Sequence, residues 1–373
     1  MLIVGGGLVG ASLAAALRGG PLSVGVVEAF SPPRSEPPSY DDRTLALSYG
    51  SRRIFAGIGA WEKIAALGAV PIKRIHISDR GRFGITRLDA ADAGLEALGY
   101  VVTHRTLGIA LHEAIASDPN IDVISPATVQ SVALDDSVAR VGARASDGER
   151  ILTARLVVAA DGADSPVREA VGIAARRVAY AQTAIVSAVT TERRPEGTAY
   201  ERFTESGPLA LLPADAERFA VVWTVATDKA DSVLAWDDAT FRTRLQDCFG
   251  ERLGRFTRVG SRQAHPLALT RVGEHVRARL ALIGNAAHTL HPVAGQGFNL
   301  GLRDVAALAE VLVEGAAAGK DPGDLGWLRR YAQWRTRDNR VSAAFTHSLI
   351  RLFSNDYLPV TWGRNLGLLA VDL

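Results

Sequence analysis

The glycine spacing near the start of the chain constrains the fold more than any other feature. Gly5, Gly7 and Gly10 follow the apolar run "LIV" and lead into "ASLAAALRGG", which has the composition of a helix. The first glycine permits a tight turn, the second lets the backbone approach a pyrophosphate, and the third packs helix against strand. The spacing therefore predicts a βαβ unit that binds a dinucleotide at the N-terminus of its helix. A glycine-rich turn without a ligand is the alternative.

An acidic residue stands where a dinucleotide site needs one. Glu28 ends the second apolar run, "LSVGVVEAF". A carboxylate about 20 residues after the glycines accepts a hydrogen bond from a ribose hydroxyl of the bound dinucleotide. Glu28 therefore favours the ligand-binding interpretation of the first glycine motif.

Two further polar loops follow buried strands much later in the chain. The first is "DGADSPVR" (161–168), and the second is "GNAAHTLHPVAGQGFNLGLRD" (284–304). Both follow strands of the parallel type, and open α/β sheets bind ligands at the C-terminal ends of such strands. An ordinary turn with Ser165 as helix N-cap is the alternative for the first loop, and a loop without a ligand is the alternative for the second. A nicotinamide dehydrogenase needs neither loop.

The sequence between about residues 176 and 264 has a different character. Its segments, such as "RFAVVWTVATD", are rich in β-branched and aromatic residues in alternation, which favours antiparallel strands. We therefore predict an α/β fold in which a Rossmann-like dinucleotide-binding domain carries an inserted antiparallel-sheet substrate domain and C-terminal helices. The predicted boundaries are 1–71, 100–175 and 265–325 for the nucleotide domain, 72–99 and 176–264 for the substrate domain, and 326–373 for the C-terminal helical segment.

Composition excludes several classes of protein. With 42 Lys and Arg against 40 Asp and Glu, the net charge of +2 gives no basic footprint for nucleic acid. Cys248 is the single cysteine, so an internal disulfide is excluded and no zinc-type ligand spacing exists. No apolar run approaches the roughly 20 residues of a membrane-spanning helix. We expect no metal site and a location in a reducing cytoplasm.

The three motifs, in this order, resemble those of the FAD-dependent aromatic hydroxylases, the flavoprotein monooxygenases related to p-hydroxybenzoate hydroxylase. That family has an N-terminal G-x-G-x-x-G, a central D-G, and a late G-D that runs into P-x-x-G-Q-G. Within it, "DDRTLALSYGSRRI", "THRTLGIALHEAI" and "ERFTESGPLALLP" are similar to the ubiquinone-biosynthesis branch. Position 285 is Asn instead of the usual Asp, which is typical of the 2-polyprenyl-6-methoxyphenol hydroxylases. The resemblance covers nearly the whole chain.

The resemblance implies that the nucleotide domain binds FAD. The residues expected to bind it are Gly5, Gly7, Gly10, Glu28, Arg43, Arg105, Asp161, Gly162, Arg168, Gly284, Asn285, Gly295, Gly297, Phe298 and Asn299. For Arg43 and Arg105, a solvated surface arginine is the alternative. For His288 and His291, a hydrogen-bonded structural role is favoured over proton delivery.

Four residues are expected to act beside the flavin ring: Pro292, Gly295, Gln296 and Gly297. A helix that starts near Gln296 would direct its N-terminus at the ring, and its free backbone N–H groups would stabilise the anionic reduced flavin. Glycine is expected there because a side chain would block the approach of the ring.

The implied activity is hydroxylation of a polyprenylated phenol in ubiquinone biosynthesis, with NAD(P)H and dioxygen as co-substrates, through a flavin C4a-hydroperoxide. The apolar strands suit such a phenol, since Arg202 and Arg218, the obvious partners for a benzoate carboxylate, are expected at strand ends or turns. A lipophilic substrate implies work at the periphery of the inner membrane, alone or in a multi-enzyme assembly. Another FAD-dependent oxidoreductase, such as an oxidase or a hydroxylase of a non-prenylated substrate, and a non-catalytic FAD-bound scaffold remain alternatives.

Overall fold

The computed structural model describes residues 1–30, 39, 42–289 and 296–338, with Gln296 described by its backbone alone. The strands within these residues are β1 (Leu2–Val4), β2 (Val24–Val27), β3 (Thr44–Ser48), β4 (Val70–Ile72), β5 (Arg74–Asp79), β6 (Ile85–Asp89), β7 (Gly99–Thr103), β8 (Ile121–Ile124), β9 (Ala127–Leu134), β10 (Ala139–Ala145), β11 (Gly148–Ala154), β12 (Val157–Ala159), β13 (Ala175–Thr191), β14 (Thr198–Thr204), β15 (Gly207–Pro213), β16 (Arg218–Ala226), β17 (Phe256–Val259), β18 (Gln263–Val272), β19 (Val276–Arg277), β20 (Leu280–Leu282) and β21 (His288–Thr289).

The helices are α1 (Leu8–Ala16), α2 (Tyr49–Ile58), α3 (Trp61–Ala66), α4 (His104–Ala116), α5 (Pro166–Ala170), α6 (Ala230–Ala235), α7 (Asp238–Phe249) and α8 (Gln296–Ala317). Residues 325–338 form the last helix described, α9. Two 3-10 turns lie at Thr227–Lys229 and Gly284–Ala286.

A six-stranded sheet forms one half of the fold, in the order β19-β20-β12-β1-β2-β8. All its neighbours are parallel except β19, which pairs antiparallel with β20 at the edge. Helices α1, α4 and α8 bury their apolar side chains against one face of this sheet. Strands β9–β11 and α5 cover the other face. The first βαβ unit and the two later parallel strands, β12 and β20, are thus confirmed.

A nine-stranded sheet forms the second half, in the order β21-β18-β13-β16-β15-β14-β5-β6, with β17 paired to β13. Alternate side chains of β13, β15 and β16, such as Ile185, Leu211 and Val221, pack with α6 and α7 in one apolar cluster. The opposite face carries Ala199, Glu201, Ala210, Leu212 and Val222 and is called the inner face below; their placement follows from the strand register.

The inner face lies against a third, three-stranded sheet in the order β3-β7-β4. Ala199, on the inner face, packs with Ile72 of β4 and Val101 of β7. Leu47 of β3 belongs to the core beneath the parallel sheet. The small sheet therefore connects the inner face to the half of the fold that is built on the six-stranded sheet.

Three features differ from the sequence-based prediction. The large sheet is mixed rather than purely antiparallel, because β5 runs parallel to β14. Helices α6 and α7 were not predicted within 176–264; α7 has a polar sequence, and its start is fixed by Asp237, whose carboxylate caps the Thr240 N–H at 2.7 Å. The antiparallel sheet β9–β11 was also missed, since one side of these short strands is exposed. The domain boundaries themselves stay a prediction.

The packing of α7 on the large sheet predicts that truncating one buried side chain of α7 will strongly reduce the stability of the fold. Phe241 is fully buried among Val221, Trp223 and Phe249. Phe241→Ala removes most of this apolar contact and leaves a cavity, so we expect a loss of about 3–5 kcal/mol in the free energy of unfolding, measured by denaturant titration. Ile151→Ala, at a side chain that is 78% exposed, is the control and is expected to change stability by less than about 0.5 kcal/mol. Equal effects of the two changes would contradict this packing.

Candidate FAD site

The first glycine turn has two glycines that pack and one that faces open space. A Cβ on Gly5, whose φ is +96°, would lie 2.5 Å from the Ala160 carbonyl oxygen, and one on Gly10 would lie 1.9 Å from the Gly5 oxygen. A Cβ on Gly7 would meet nothing within 4 Å. Gly7 is the N-cap of α1 and supplies no side-chain cap to the helix. The space before α1 is therefore open to an anionic group, which the helix N-terminus attracts.

Glu28 braces this turn from the end of β2. Its carboxylate accepts the Gly6 N–H at 2.6 Å and the Phe30 N–H at 2.9 Å. The side chain is half-buried. The prediction that an acid follows the second strand is confirmed, and its contact with a ribose stays a prediction.

The "DG" loop places a buried carboxylate oxygen without a partner beside open space. Asp161 Oδ2 accepts the Val167 N–H at 3.0 Å, whereas Oδ1 is buried and has no hydrogen-bond partner among the described residues. Burial raises the pKa of Asp161 above its usual value. Gly162 has φ +96°, and a Cβ there would meet nothing within 4 Å. This combination suits a ligand that donates a hydrogen bond to Asp161.

Arg168 connects this loop to the late glycine loop. Its guanidinium donates to the Ala163 carbonyl at 2.8 Å and to the Ala286 carbonyl at 2.9 Å. These two bonds hold the two loops together, so the side chain has a structural role whether or not it also contacts FAD.

The late loop begins in a 3-10 turn next to α1. Gly284 has φ +58°, and a Cβ there would lie 3.0 Å from Val9. Asn285 is exposed on this turn. The chain then pairs as β21 with β18 in the large sheet, Thr270 opposite Thr289. The late loop therefore leaves the parallel sheet and reaches the edge of the large one.

Asp304 of α8 is the buried centre that holds the late loop. Its Oδ2 accepts the Gly284 N–H at 2.8 Å and lies 2.8 Å from His288 Nε2, and its Oδ1 accepts from Arg335 Nε at 2.6 Å. Burial alone would raise the pKa of Asp304, but His288 and Arg335 lower it below its usual value. The structural role preferred for His288 is confirmed; His291 lies outside the described residues.

The N-terminal turn of α8 meets β3 and α2. Asn299 accepts from the Ser48 N–H at 2.9 Å and the Ser51 hydroxyl at 2.6 Å, and it donates to the Ala46 carbonyl at 2.9 Å. Phe298 stacks on Phe55 with 6.3 Å between ring centroids. These contacts fix the start of the helix, while a Cβ on Gly297 would meet nothing within 4 Å.

The predicted helix near Gln296 is confirmed, since α8 begins there. Pro292 and Gly295 lie outside the described residues, and only the backbone of Gln296 is described. Their roles beside the flavin ring stay predictions.

The two predicted arginines differ in their surroundings. Arg105 donates to Asp42 at 2.7 Å, and both side chains are largely buried, 21% and 15% exposed. Arg43 is exposed. After burial itself, its charge is the next cause that lowers the pKa values of His104 and His265. Arg43 directly precedes β3, and its carbonyl accepts the His104 N–H at 2.7 Å.

These features fit FAD. The open space at Gly7, Gly162 and Gly297 gives room for a ligand along the C-terminal edge of the parallel sheet. The α1 N-terminus suits its pyrophosphate, and the unpartnered Asp161 oxygen suits a donor of its ribityl or ribose hydroxyls.

The FAD binding domain family matches residues 1–338. The chain belongs to this family. It is 41% identical over its whole length to "Ubiquinone hydroxylase UbiL" of Rhodospirillum rubrum and covers 86% of that protein. It is 33% identical to "3-demethoxyubiquinol 3-hydroxylase" of Escherichia coli over 99% of this chain and 94% of that one. FAD is therefore the cofactor, and the family resemblance seen in the motifs is confirmed.

A solved structure has the same fold. The p-nitrophenol 4-monooxygenase PnpA of Pseudomonas putida matches all of this chain and 92% of its own with a TM-score of 0.79, at 20% identity. The predicted fold class, an FAD-binding α/β domain with an inserted sheet, is confirmed.

Two polar groups of the inner face were not singled out from the sequence. Glu201 lies in the middle of β14, and His265 lies on β18 opposite Ala184, with a buried Nε2 that has no partner among the described residues. The sequence signal that could have found them is a charged or polar residue at a position of an alternating strand where the pattern predicts an apolar one. Asp304 and Arg335 were missed as well, because they meet only through packing of α8 on α9.

Gly297 gives a direct test of the cofactor position. Gly297→Val adds a branched side chain to a place that is open in the protein, so the chain should fold normally, but the side chain should obstruct FAD. We expect at least a tenfold loss in FAD affinity, a loss of about 1.4 kcal/mol or more, measured by fluorescence titration of the apoprotein. Gly57→Val, at an exposed helical glycine that also has nothing within 4 Å, is the control. Unchanged FAD affinity and turnover in the Gly297 variant would place the ring elsewhere.

The Asp304 cluster predicts a large stability difference between two arginines of α9. Arg335→Met leaves the buried Asp304 charge without its guanidinium partner, so we expect a loss of about 3–5 kcal/mol at neutral pH. Arg330→Met breaks an exposed pair with Glu314 and should cost about 1 kcal/mol or less. The native pair stabilises above the usual pKa of Asp304, and this contribution disappears as the pH falls through the lowered pKa. Chemical denaturation of both variants across pH checks this; equal losses would contradict it.

Proposed function

We propose that the protein is an FAD-dependent monooxygenase that hydroxylates a polyprenylated phenol ring in ubiquinone biosynthesis, with NAD(P)H and dioxygen as co-substrates. Relatives that share its full length are named as ubiquinone hydroxylases. The fold is that of FAD monooxygenases.

The observation that carries the proposal is that, among the described residues, the centre of the inner face is apolar apart from Glu201 and presents no arginine or lysine. Arg202 lies in the middle of β14 and not at a strand end as predicted, but it donates to the Cys248 carbonyl at 3.1 Å on the side of α7. Arg218 is the first residue of β16 and pairs with Asp215 at 2.5 Å. Neither arginine is presented to the centre of the inner face. A benzoate would need such a partner for its carboxylate.

The centre of the inner face instead suits a phenol with an apolar tail. Ala210, Val222 and Val186 lie there in one row across three neighbouring strands. Each CH₂ of a prenyl tail that is buried against such residues contributes about 0.8 kcal/mol. Half-buried Glu201 would also repel the carboxylate of a benzoate.

The chain's own residues would hold cofactor and substrate against each other. Gly5, Gly7 and Gly10 with the α1 N-terminus would bind the pyrophosphate, and Glu28 the adenosine ribose. Bound FAD supplies the redox chemistry that activates dioxygen. The late loop, held by Asp304 at one end and by β18 at the other, would keep the ring above the inner face and exclude water from it.

The lipid origin of the substrate implies contact with a membrane surface. Within the part of the chain that the structure describes, no helix is long and apolar enough to cross a bilayer. We therefore propose a cytoplasmic protein that takes its phenol at the periphery of the inner membrane, alone or within an assembly of pathway enzymes.

Substrate comparison tests the proposal. Purified FAD-loaded protein is given NAD(P)H with a short-chain prenylated methoxyphenol or with 4-hydroxybenzoate, and nicotinamide oxidation, product and hydrogen peroxide are measured together. We expect coupled hydroxylation of the prenylated phenol and at least 100-fold lower kcat/KM with the benzoate. This ratio is about 2.7 kcal/mol of transition-state stabilisation, within reach of a lost tail contact and a repelled carboxylate.

Two outcomes would contradict the proposal in different ways. Efficient, coupled turnover of 4-hydroxybenzoate would assign the protein to hydroxylases of non-prenylated substrates. Nicotinamide oxidation that releases only hydrogen peroxide with every phenol would favour an oxidase, and no flavin reduction by NADH or NADPH would favour a non-catalytic scaffold.

A further inference from the structure

Glu201 occupies the centre of the inner face. It lies in β14 opposite Ile77 of β5 on one side and Ala210 of β15 on the other. The same row continues through Val222 and Val186. Side chains directly opposite in neighbouring strands have Cβ atoms about 4.5–5.5 Å apart, so the carboxylate stands among apolar side chains.

The inner face is the side of the large sheet that lies toward the FAD site. Ala199, two residues before Glu201 and on the same face, packs against β4 and β7. In the same small sheet, β3 is bound by Asn299 at the start of α8. The late loop joins this helix start to β21, at the β18 edge of the large sheet. Glu201 therefore lies on the face that the small sheet connects to the start of α8, in a strand five places from β21 in the large sheet.

The charged and titratable groups described on this face lie further along the strands than the row of Glu201, the nearest being Asp79, which is two residues beyond Ile77 in β5. Asp79 ends β5, Arg218 begins β16, and His265 lies on β18 opposite Ala184, with a pKa that burial and then the charge of Arg43 lower. On the opposite face of the same strands, His76 and Arg202 point toward α7. Burial is the one cause that shifts the pKa of Glu201, from 4.5 to about 7.

Glu201 has no hydrogen bond or ion pair with any residue that the structure describes, although its side chain is half-buried. A carboxylate in apolar surroundings without a partner is costly for folding. Such a group is therefore expected to have a partner in the working state of the protein.

We propose that Glu201 is the catalytic base that binds the ring hydroxyl of the substrate and accepts its proton. The assignment rests on the proposed function, because it requires a phenol at the inner face. The phenolic O–H bond breaks, the proton moves to a Glu201 oxygen, and the electron pair left on the phenolic oxygen increases the electron density of the ring. After the ring carbon has received its oxygen atom and lost its hydrogen as a proton, Glu201 returns its own proton to the phenolic oxygen.

The raised pKa suits this role and gives it a pH signature. A base must be ionised before it accepts a proton, so kcat/KM for the prenylated phenol should rise with pH and reach a plateau above about 7. A group with a much lower pKa would be ionised throughout this range but would be a weaker base.

Glu201→Gln keeps the shape and hydrogen bonding of the side chain but removes the base. At pH 8 we expect a fall of about 10²–10⁴-fold in kcat/KM and loss of the ionisation near pH 7. A ring-fluorinated phenol, which is already largely ionised at pH 8, should recover most of the lost rate. Glu205→Gln, an exposed acid just after the same strand, is the matched control and should keep the wild-type rate and pH profile.

A structural role for Glu201 predicts a different result. A variant that was merely misfolded would lose activity equally with the normal and the fluorinated phenol. Retention of more than about a third of wild-type kcat/KM, an unchanged pH profile, or no rescue by the acidic phenol would overturn the assignment. Because flavin reduction without phenol does not need the base, the rate of that reduction should be the same in wild type and variant.

Stability gives a readout that does not depend on catalysis. A raised carboxyl pKa means that the folded state favours the protonated form, so Glu201 costs stability as the pH rises from 4.5 to about 7. Relative to wild type, Glu201→Gln should therefore become progressively more stable over this range and then stay constant. No change in the difference across this range would contradict the apolar environment on which the assignment depends.

Failure of the assignment and failure of the proposed function give different results. If wild type hydroxylates the prenylated phenol and Glu201→Gln does so equally well, only the role of Glu201 is wrong. If wild type itself does not hydroxylate the phenol, the proposed function is wrong and the stability measurement alone bears on Glu201.

Discussion

One buried carboxylate determines how the late loop is held. Asp304 is 1% exposed in its side chain, and it contacts a backbone N–H of the 3-10 turn, a histidine of β21 and an arginine of α9. An ionised carboxylate at this depth is tolerated only because each of its oxygens is matched by a donor. Asp304 and its partners also hold together three segments of the chain: the 3-10 turn with β21, helix α8 and helix α9. The positions of Gly284, β21 and the start of α8 all depend on this cluster.

The small sheet β3-β7-β4 performs the complementary task of locating the large sheet. It binds α8 through Asn299 on one side and packs on Ala199 and Leu212 on the other. Polar contacts fix its position relative to the helix, and apolar contacts fix its position relative to the inner face. The cofactor site and the proposed substrate face are therefore connected through a third element that contains few residues.

The sequence predicted the features that local dihedral angles and short spacings determine. The turn at Gly5 and Gly10, the acid at position 28 and the helix beginning near Gln296 follow from chemistry within a few residues. The cluster around Asp304 could not be predicted, because Arg335 lies 31 residues away and meets it only after α8 and α9 have packed. Helix α7 was missed because its exposed polar residues obscure the three buried positions Phe241, Leu245 and Phe249.

Glu201 illustrates a further limit of sequence interpretation. In "TAYERFT" the alternation shows that Ala199, Glu201 and Phe203 share a face, but it does not show whether that face is wet or buried. Only the register with Ile77 and Ala210 places the carboxylate in an apolar row. The sequence also did not show toward which face the neighbouring Arg202 points. In the structure its side chain points toward α7, so it is not placed to bind the carboxylate of a substrate on the inner face.

The two faces of the large sheet divide its residues into two groups that evolution and engineering can alter separately. In β16, Phe219, Val221 and Trp223 belong to the core shared with α7, whereas Ala220, Val222 and Thr224 alternate with them on the inner face. Changes at the first group alter stability, whereas a change at half-buried Val222 would alter the shape of the proposed substrate face. Because the two groups alternate along the strand, substitutions on the inner face allow a new substrate range to evolve with little loss of fold stability.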